Sequence, residues 1–262
     1  MTLELTEVGR QPEAADVVVP GLERLTPLSL AELCARPDLQ TRVDRKYVVP
    51  STVVADLVEQ VHGDSAVLVI DGRAGLRYES VYFDTAGLTC YLAAAHGRRR
   101  RYKVRTRSYL DTETCLLETK TVGGRGETVK RRAPYPFADR DRLTEAGRDV
   151  LQEWLGPELP DLFPTLMTSY LRTTLVDAAG ARVTVDGEVR GEAPDGRSEQ
   201  LAGNLIVETK SPAAATATDR WFWARGYRPV RLSKYAVGLA ALLPELPANR
   251  WARTLRRWYP QS

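Results

Sequence analysis

Histidine and cysteine are scarce in this chain, and their scarcity removes most of the familiar catalytic repertoire. The two histidines, His62 and His96, sit apart from any carboxylate-rich motif. That leaves neither a histidine metal site nor a histidine-centred triad to expect, and both residues read as incidental. The three cysteines, Cys34, Cys90 and Cys115, are odd in number and include no Cys-x-x-Cys pair, which argues against disulfides and a zinc knuckle. Long apolar runs are missing too. No stretch approaches the roughly 20 residues of a membrane-spanning helix, and no charged-then-apolar leader opens the chain. The expectation is a cytoplasmic protein, with peripheral docking through a membrane-protein partner left open. A large excess of one charge is also absent: 37 Lys and Arg stand against 34 Asp and Glu. Nucleic acid is therefore not an expected partner.

What is present suits a folded enzyme-sized domain. Of the 262 residues, 43% are hydrophobic and 27% charged, ordinary values for a packed soluble chain. Residues 1–20 read as a flexible tail and 21–262 as a single α+β domain that includes a basic C-terminal helix. Lys46 to Val49 reads as a strand ending at Pro50, and 51–61 as a helix with Val54, Leu57, Val58 and Val61 on its buried stripe. Residues 67–70 and 76–83 read as paired strands around Asp71-Gly72. Strands are expected at 102–110, 114–122, 127–135, 165–176, 181–191 and 204–210, and helices at 89–95, 141–155, 217–225 and 232–243.

The most informative feature lies within those strands. Charged residues recur two apart in Lys103-Val-Arg105-Thr-Arg107, Glu118-Thr-Lys120, Lys130-Arg-Arg132, Arg182-Val-Thr-Val-Asp186 and Glu208-Thr-Lys210. Arg45-Lys46, Arg172 and Arg231-Leu-Ser-Lys234 extend the series. Side chains at i and i+2 share one face of a strand, so each stretch collects its charges on one side, while Val104, Leu117, Val183, Val185 and Val207 take the other. Like charges crowded on one face repel unless something anionic compensates them. The pattern predicts a closed antiparallel β-barrel of about eight strands, with the cations lining a tunnel and the helices packed outside. A polyanion held with a metal ion is the implied occupant.

In order along the chain, Arg45-Lys46-Tyr47, Tyr82-Phe-Asp-Thr85, Arg105-Thr-Arg107, Glu118-Thr-Lys120, Lys130, Arg172, Arg182, Glu208-Thr-Lys210 and Ser233-Lys234-Tyr235 resemble the triphosphate tunnel metalloenzymes. Within that CYTH-like superfamily they look most like the polyphosphate polymerase domain of the vacuolar transporter chaperone (VTC) complex, over roughly residues 22–245. The resemblance implies phosphate contacts from Lys46, Arg105, Arg107, Lys120, Lys130, Arg172, Arg182, Lys210 and Lys234. Lys103 and Arg231 join them by their place in the same charged stretches. It implies a divalent metal, Mn²⁺ or Mg²⁺, at Glu208; Glu118 and Asp186 are weaker metal-site candidates that read equally as ion-pair partners of a neighbouring Lys or Arg. It also implies a stand-alone catalytic module of the bacterial kind.

The resemblance departs at the first strand. The hydrolytic branch carries Glu-x-Glu-x-Lys there, whereas this chain has Arg42-Val-Asp44-Arg-Lys46. The polymerase-like branch is favoured: the terminal phosphoryl group of ATP or another nucleoside triphosphate passes to a polyphosphate chain, with Arg105, Arg107, Lys120, Lys234 and Glu208 as catalytic groups. Such transfer needs positioning and charge neutralisation rather than a covalent protein intermediate. The alternatives are a hydrolase of inorganic or nucleoside triphosphate and a polyphosphate-binding module without turnover. Other signals are weaker. Gly123-Gly-Arg-Gly126 lacks Walker spacing and reads as a hairpin turn. Arg98 to Arg101 reads equally as a solvated run or as a collector of anions. Trp221 and Trp223 read as packing residues, and the tail with Arg250, Arg253, Arg256 and Arg257 as a solvated basic helix.

Overall fold

The computed structural model describes residues 19–36, 43–123, 128–211 and 214–259. In chain order the elements are β1 (Thr26–Leu28), α1 (Leu30–Ala35), β2 (Val43–Pro50), α2 (Ser51–Val61), β3 (Ala66–Leu68), β4 (Leu76–Asp84) and α3 (Thr89–Ala95). There follow β5 (Arg101–Tyr109), β6 (Thr114–Val122), β7 (Thr128–Tyr135), α4 (Glu145–Leu155), β8 (Phe163–Val176), β9 (Arg182–Glu192) and β10 (Ser198–Gln200). The series closes with β11 (Asn204–Ser211), α5 (Ala217–Ala224), α6 (Lys234–Leu242) and α7 (Ala252–Trp258). The expected loose tail falls outside the described residues except for Val19 and Pro20, and Val19 is fully buried. Arg42 and most of the Gly123–Gly126 turn also lie outside them.

The sheet corrects the expected closure. Its hydrogen-bonded order is β2-β11-β9-β8-β4-β5-β6-β7, and among the described residues neither β2 nor β7 pairs on its outer side. The antiparallel strands are present, but the closed barrel is not. Two physical reasons stand out. The acids on the charged face are ion-paired with its cations, which relieves repulsion without closure. The end strands also carry edge-blocking residues: Asp44, Arg45 and Pro50 on β2, and Lys130, Arg131, Arg132 and Pro134 on β7. A second expectation changes as well. Asp71 and Gly72 do turn the chain with positive φ, but only Ile70 and Arg73 bridge across that turn. β3 pairs instead with β1 in parallel and with β8 in antiparallel register.

The chain divides into two compact units. The first comprises residues 1–76, 171–187 and 203–230. Its core sets Val54, Leu57 and Val58 of α2 and Phe222 of α5 against Tyr47, Val49, Val183, Val185 and Val207. The strand residues come from alternate positions of β2, β9 and β11, so the remaining positions are left for charge. Each such aliphatic side chain contributes about 1.5–3 kcal/mol by leaving water.

The second unit comprises residues 77–170, 188–202 and 231–262. Val104, Cys115 and Leu117 pack with Val81, Phe83 and Leu151 of α4. Tyr82, Tyr91, Tyr235, Leu239 and Trp251 form a separate cluster with α3, α6 and α7. The alternation in β5 is clean: Val104, Thr106 and Ser108 are buried, while Lys103, Arg105 and Arg107 are half-buried on the opposite face.

Candidate functional site

In the first unit, strand register sets charge against charge. β11 pairs with β2 so that Glu208 stands opposite Lys46 and Lys210 opposite Asp44; on its other side, Glu208 meets Thr184 and Lys210 meets Arg182. Lys46 Nζ donates to Glu208 Oε1 at 2.9 Å. Burial alone would raise the Glu208 pKa, but Lys210, Lys46 and Arg172 together hold the carboxyl well below the usual carboxylate range. Arg172 makes a bidentate pair with Asp186, Nε to Oδ1 at 2.6 Å and Nη2 to Oδ2 at 2.8 Å, and both side chains are buried. Cations and acids nearly balance on this face.

In the second unit, the meander β5–β6–β7 stacks like charges. Lys103, Lys120 and Lys130 stand directly opposite one another across the three strands. The neighbouring row is Arg105, Glu118 and Arg132, with Tyr82 opposite Arg105 on β4. Arg105 Nε donates to Glu118 Oε2 at 2.8 Å and Arg105 Nη1 to Tyr82 Oη at 3.1 Å. Burial works against the Arg105 charge, but Tyr82, Glu118 and Tyr170 outweigh it and hold the guanidinium above its ordinary pKa. Arg107 Nε lies 3.7 Å from Glu118 Oε2 and, buried, has no hydrogen-bond partner. Lys234 opens α6 with Nζ 4.1 Å from the centre of the Tyr170 ring, a favourable cation–π placement. Arg231 is exposed in the loop before that helix rather than on a strand.

The acids do not build a cage for a resident metal ion. Glu208, Glu118 and Asp186 each already hold a cationic side chain. No group of three or more His, Cys, Asp or Glu able to hold a metal occurs among the described residues. A magnesium-type ion takes only one or two protein carboxylates when substrate phosphates complete its shell.

The VTC domain model matches residues 41–243. The chain is a member of the VTC domain family. Membership sets this VTC domain among enzymes that act on triphosphate-bearing substrates. No curated protein matches its sequence. Among solved structures it is similar to HpAC1 from Hippeastrum, described as having a dominant triphosphatase activity, at 16% identity and TM-score 0.44, covering 75% of this chain and 94% of that one. The PH1819 protein from Pyrococcus horikoshii matches at 11% identity and TM-score 0.43, covering 75% and 97%. The inorganic triphosphatase NE1496 matches at 12% identity and TM-score 0.33, covering 76% and 95%.

Several residues that shape the VTC domain's charged faces carry no charge signal in the sequence. Ser233 caps α6 by accepting from Ala236 N, and it also accepts from Lys103 Nζ at 2.6 Å. Its position just before an apolar helical run, within the Ser233-Lys234-Tyr235 element, is the sequence clue. Two buried aspartates brace the strands from behind. Asp219 accepts from Tyr47 Oη at 2.7 Å, Thr209 Oγ1 at 2.8 Å, Thr216 N at 2.8 Å and Arg45 Nη1 at 3.3 Å. Tyr47 and Thr209 are the immediate neighbours of Lys46 and Glu208. Asp84 accepts from the Cys90 and Tyr91 amides at the start of α3 and from Tyr235 Oη at 2.6 Å. Tyr235 follows Lys234 and stacks on Tyr82, ring centres 5.0 Å apart. Burial and then Asp84 push the Tyr235 hydroxyl pKa upward, so it stays a donor.

Proposed function

We propose that this VTC domain binds linear phosphate chains on its cationic sheet faces and transfers the terminal phosphoryl group of a nucleoside triphosphate to such a chain. The observation that carries the reading is the Lys103, Lys120 and Lys130 row. Like charges directly opposite across strands destabilise a sheet, and a chain of phosphates is the ligand that turns this cost into binding. Arg107, with its unsatisfied buried Nε, is the donor ready for a phosphate oxygen.

In the transfer, an ionised terminal oxygen of the acceptor chain attacks the γ-phosphorus of ATP. A new P–O–P linkage forms, the bond from the γ-phosphorus to the bridging oxygen breaks, and ADP departs with that electron pair. No general base is needed, because the attacking oxygen is already an anion near neutral pH. Arg105, Arg107, Lys120 and Lys234 offset charge at the transferred group, while Lys46, Lys103, Lys130, Arg172, Arg182, Lys210 and Arg231 position the chains. Mg²⁺ or Mn²⁺ arrives with the nucleotide as part of the substrate, and Glu208 is the carboxylate assigned to it, ahead of Glu118 and Asp186. Release of product through a membrane-protein partner belongs to the same proposal.

A second reading shares the faces and changes the acceptor. Glu208, held ionised by its cationic neighbours, is a carboxylate able to orient water, which gives hydrolysis of inorganic or nucleoside triphosphate. One experiment separates the two. Purified protein is incubated with ATP and Mn²⁺ while polyphosphate, ADP and free phosphate are followed. A polyphosphate ladder with matching ADP supports transfer, free phosphate without polymer supports hydrolysis, and tripolyphosphate binding with neither product leaves a binding module. Glu208→Gln should abolish turnover under the first two readings and leave polyanion binding intact under the third.

A further inference from the structure

The arginines outside this site are arranged as its continuation. Arg101, Lys103, Arg105 and Arg107 share one face of β5, a row about 20 Å long at roughly 3.3 Å per residue. Arg98, Arg99 and Arg100 lead directly into it and are all exposed. Arg101 Nη1 donates to the Arg98 carbonyl at 2.6 Å, which fixes the start of the row to that turn. α3 carries the turn to the beginning of α7: the Tyr91 and Trp251 ring centres are 5.8 Å apart, and Tyr91 Oη donates to the Pro247 carbonyl. The Arg250 guanidinium lies against Gly97, where an added Cβ would be 2.1 Å from Nη1. Arg253 and Arg257, both exposed, follow on α7. Arg98, Arg99, Arg100, Arg250, Arg253 and Arg257 make no ion pair with a carboxylate among the described residues.

The apolar side of α7 is already used. Trp251, Leu255 and Tyr259 pack in the cluster with Tyr91 and Tyr235, so these apolar side chains are not free to enter a lipid interface. A purely electrostatic surface that runs into a phosphate-binding row fits an extended, flexible polyanion.

We infer that Arg98–Arg100 together with Arg250, Arg253 and Arg257 form an outer track that holds the distal part of a long phosphate chain whose end lies on the β5 row. The inference rests on the phosphate-chain reading above and adds length discrimination to it. Short chains occupy the row alone, and long chains gain the track.

The test compares tripolyphosphate with long-chain polyphosphate as ligands for the full chain, by calorimetry across a salt series. The variants are Arg98→Gln/Arg99→Gln/Arg100→Gln and, separately, Arg253→Gln/Arg257→Gln. Each should weaken long-chain binding about tenfold and lower its salt slope, with tripolyphosphate affinity held within about twofold. Wild-type binding to both ligands with no selective loss in either variant overturns the track. An equal loss for both ligands also overturns it, since the arginines would then belong to the inner site. Loss of binding to phosphatidylglycerol vesicles, with long-chain affinity unchanged, would reassign the patch to membranes and overturn it too. If wild type binds neither phosphate ligand, the phosphate-chain reading itself falls, a result distinct from the others.

Discussion

Two half-buried glutamates, one in each unit, experience opposite environments. Glu208 stands among Lys46, Lys210 and Arg172, which hold it ionised far below its ordinary pKa despite its burial. Glu199 on β10 has an unpartnered Oε2, and burial pushes its pKa up to about 7. The same carboxyl chemistry is therefore locked as an anion in one place and close to neutral in the other. The charged faces differ in the same sense. The first unit matches its cations with Asp186, Glu208 and Asp44, whereas Glu118 is the one acid in the sequence of β5–β7. A face that balances itself is stable without a ligand. A face with an excess of one sign has its lowest energy only when an anion arrives.

This contrast can be broken by mutation. The largest effect is expected from Asp219→Ala, which strands Arg45 and removes the acceptor for Tyr47, Thr209 and the Thr216 amide. It should cost about 3–5 kcal/mol in chemical denaturation, and a loss under about 1 kcal/mol would show that the brace is dispensable. Arg107→Ala should lower turnover by about 2–4 kcal/mol of transition-state stabilisation with little change in stability. Unchanged turnover would remove Arg107 from the reacting centre.

The pH response tests the glutamates directly. Glu208 is depressed in the folded state, so the unfolded chain binds more protons at low pH. Its contribution is present above about pH 4 and is lost as pH falls through the folded value. Glu199 is raised to about 7, so its term has the opposite sign: stability is greatest below about pH 4 and declines as pH rises through about 7. Glu199→Gln should flatten that decline and stabilise the protein by about 1–3 kcal/mol at pH 8, read from denaturation midpoints across pH. An unaltered profile would mean that Glu199 is not the titrating group. The smallest effect sharpens the comparison most. Lys120→Gln should stabilise the ligand-free protein by about 0.5–1 kcal/mol by relieving the lysine row, while weakening tripolyphosphate binding. If stability falls instead, the row is not a site of repulsion.

Much of this architecture is legible in the sequence, because period-two alternation reports directly on which face a residue occupies. The strand 114–122 and the helices 51–61 and 89–95 fall where the pattern sets them, and Arg105, Arg107, Lys120, Glu208 and Lys210 share their expected faces. Alternation says nothing about whether the two ends of a sheet meet. Charge repulsion calls for closure only where the acids stay unpaired; Glu118 and Asp186 form the ion pairs with neighbouring cations that the sequence allowed, and Lys46–Glu208 adds a third. The Lys46–Glu208 pair depends on register between segments 162 residues apart. The braces at Asp84 and Asp219 are hidden for the same reason, since Asp84 and Tyr235 are 151 residues apart in the chain.

The open edge at β7 has a consequence for how copies of this protein treat one another. Lys130, Arg131 and Arg132 are exposed along an outer side that no other strand covers among the described residues. Two molecules approaching edge to edge would bring identical cationic combs together, and the repulsion keeps their backbones from extending one sheet into the next. A phosphate polymer would neutralise that comb while presenting its own charge to a second molecule. In dilute ligand the expected outcome is turbidity or cross-linking of copies, and in excess ligand redispersal, a colloidal signature set by one open sheet edge.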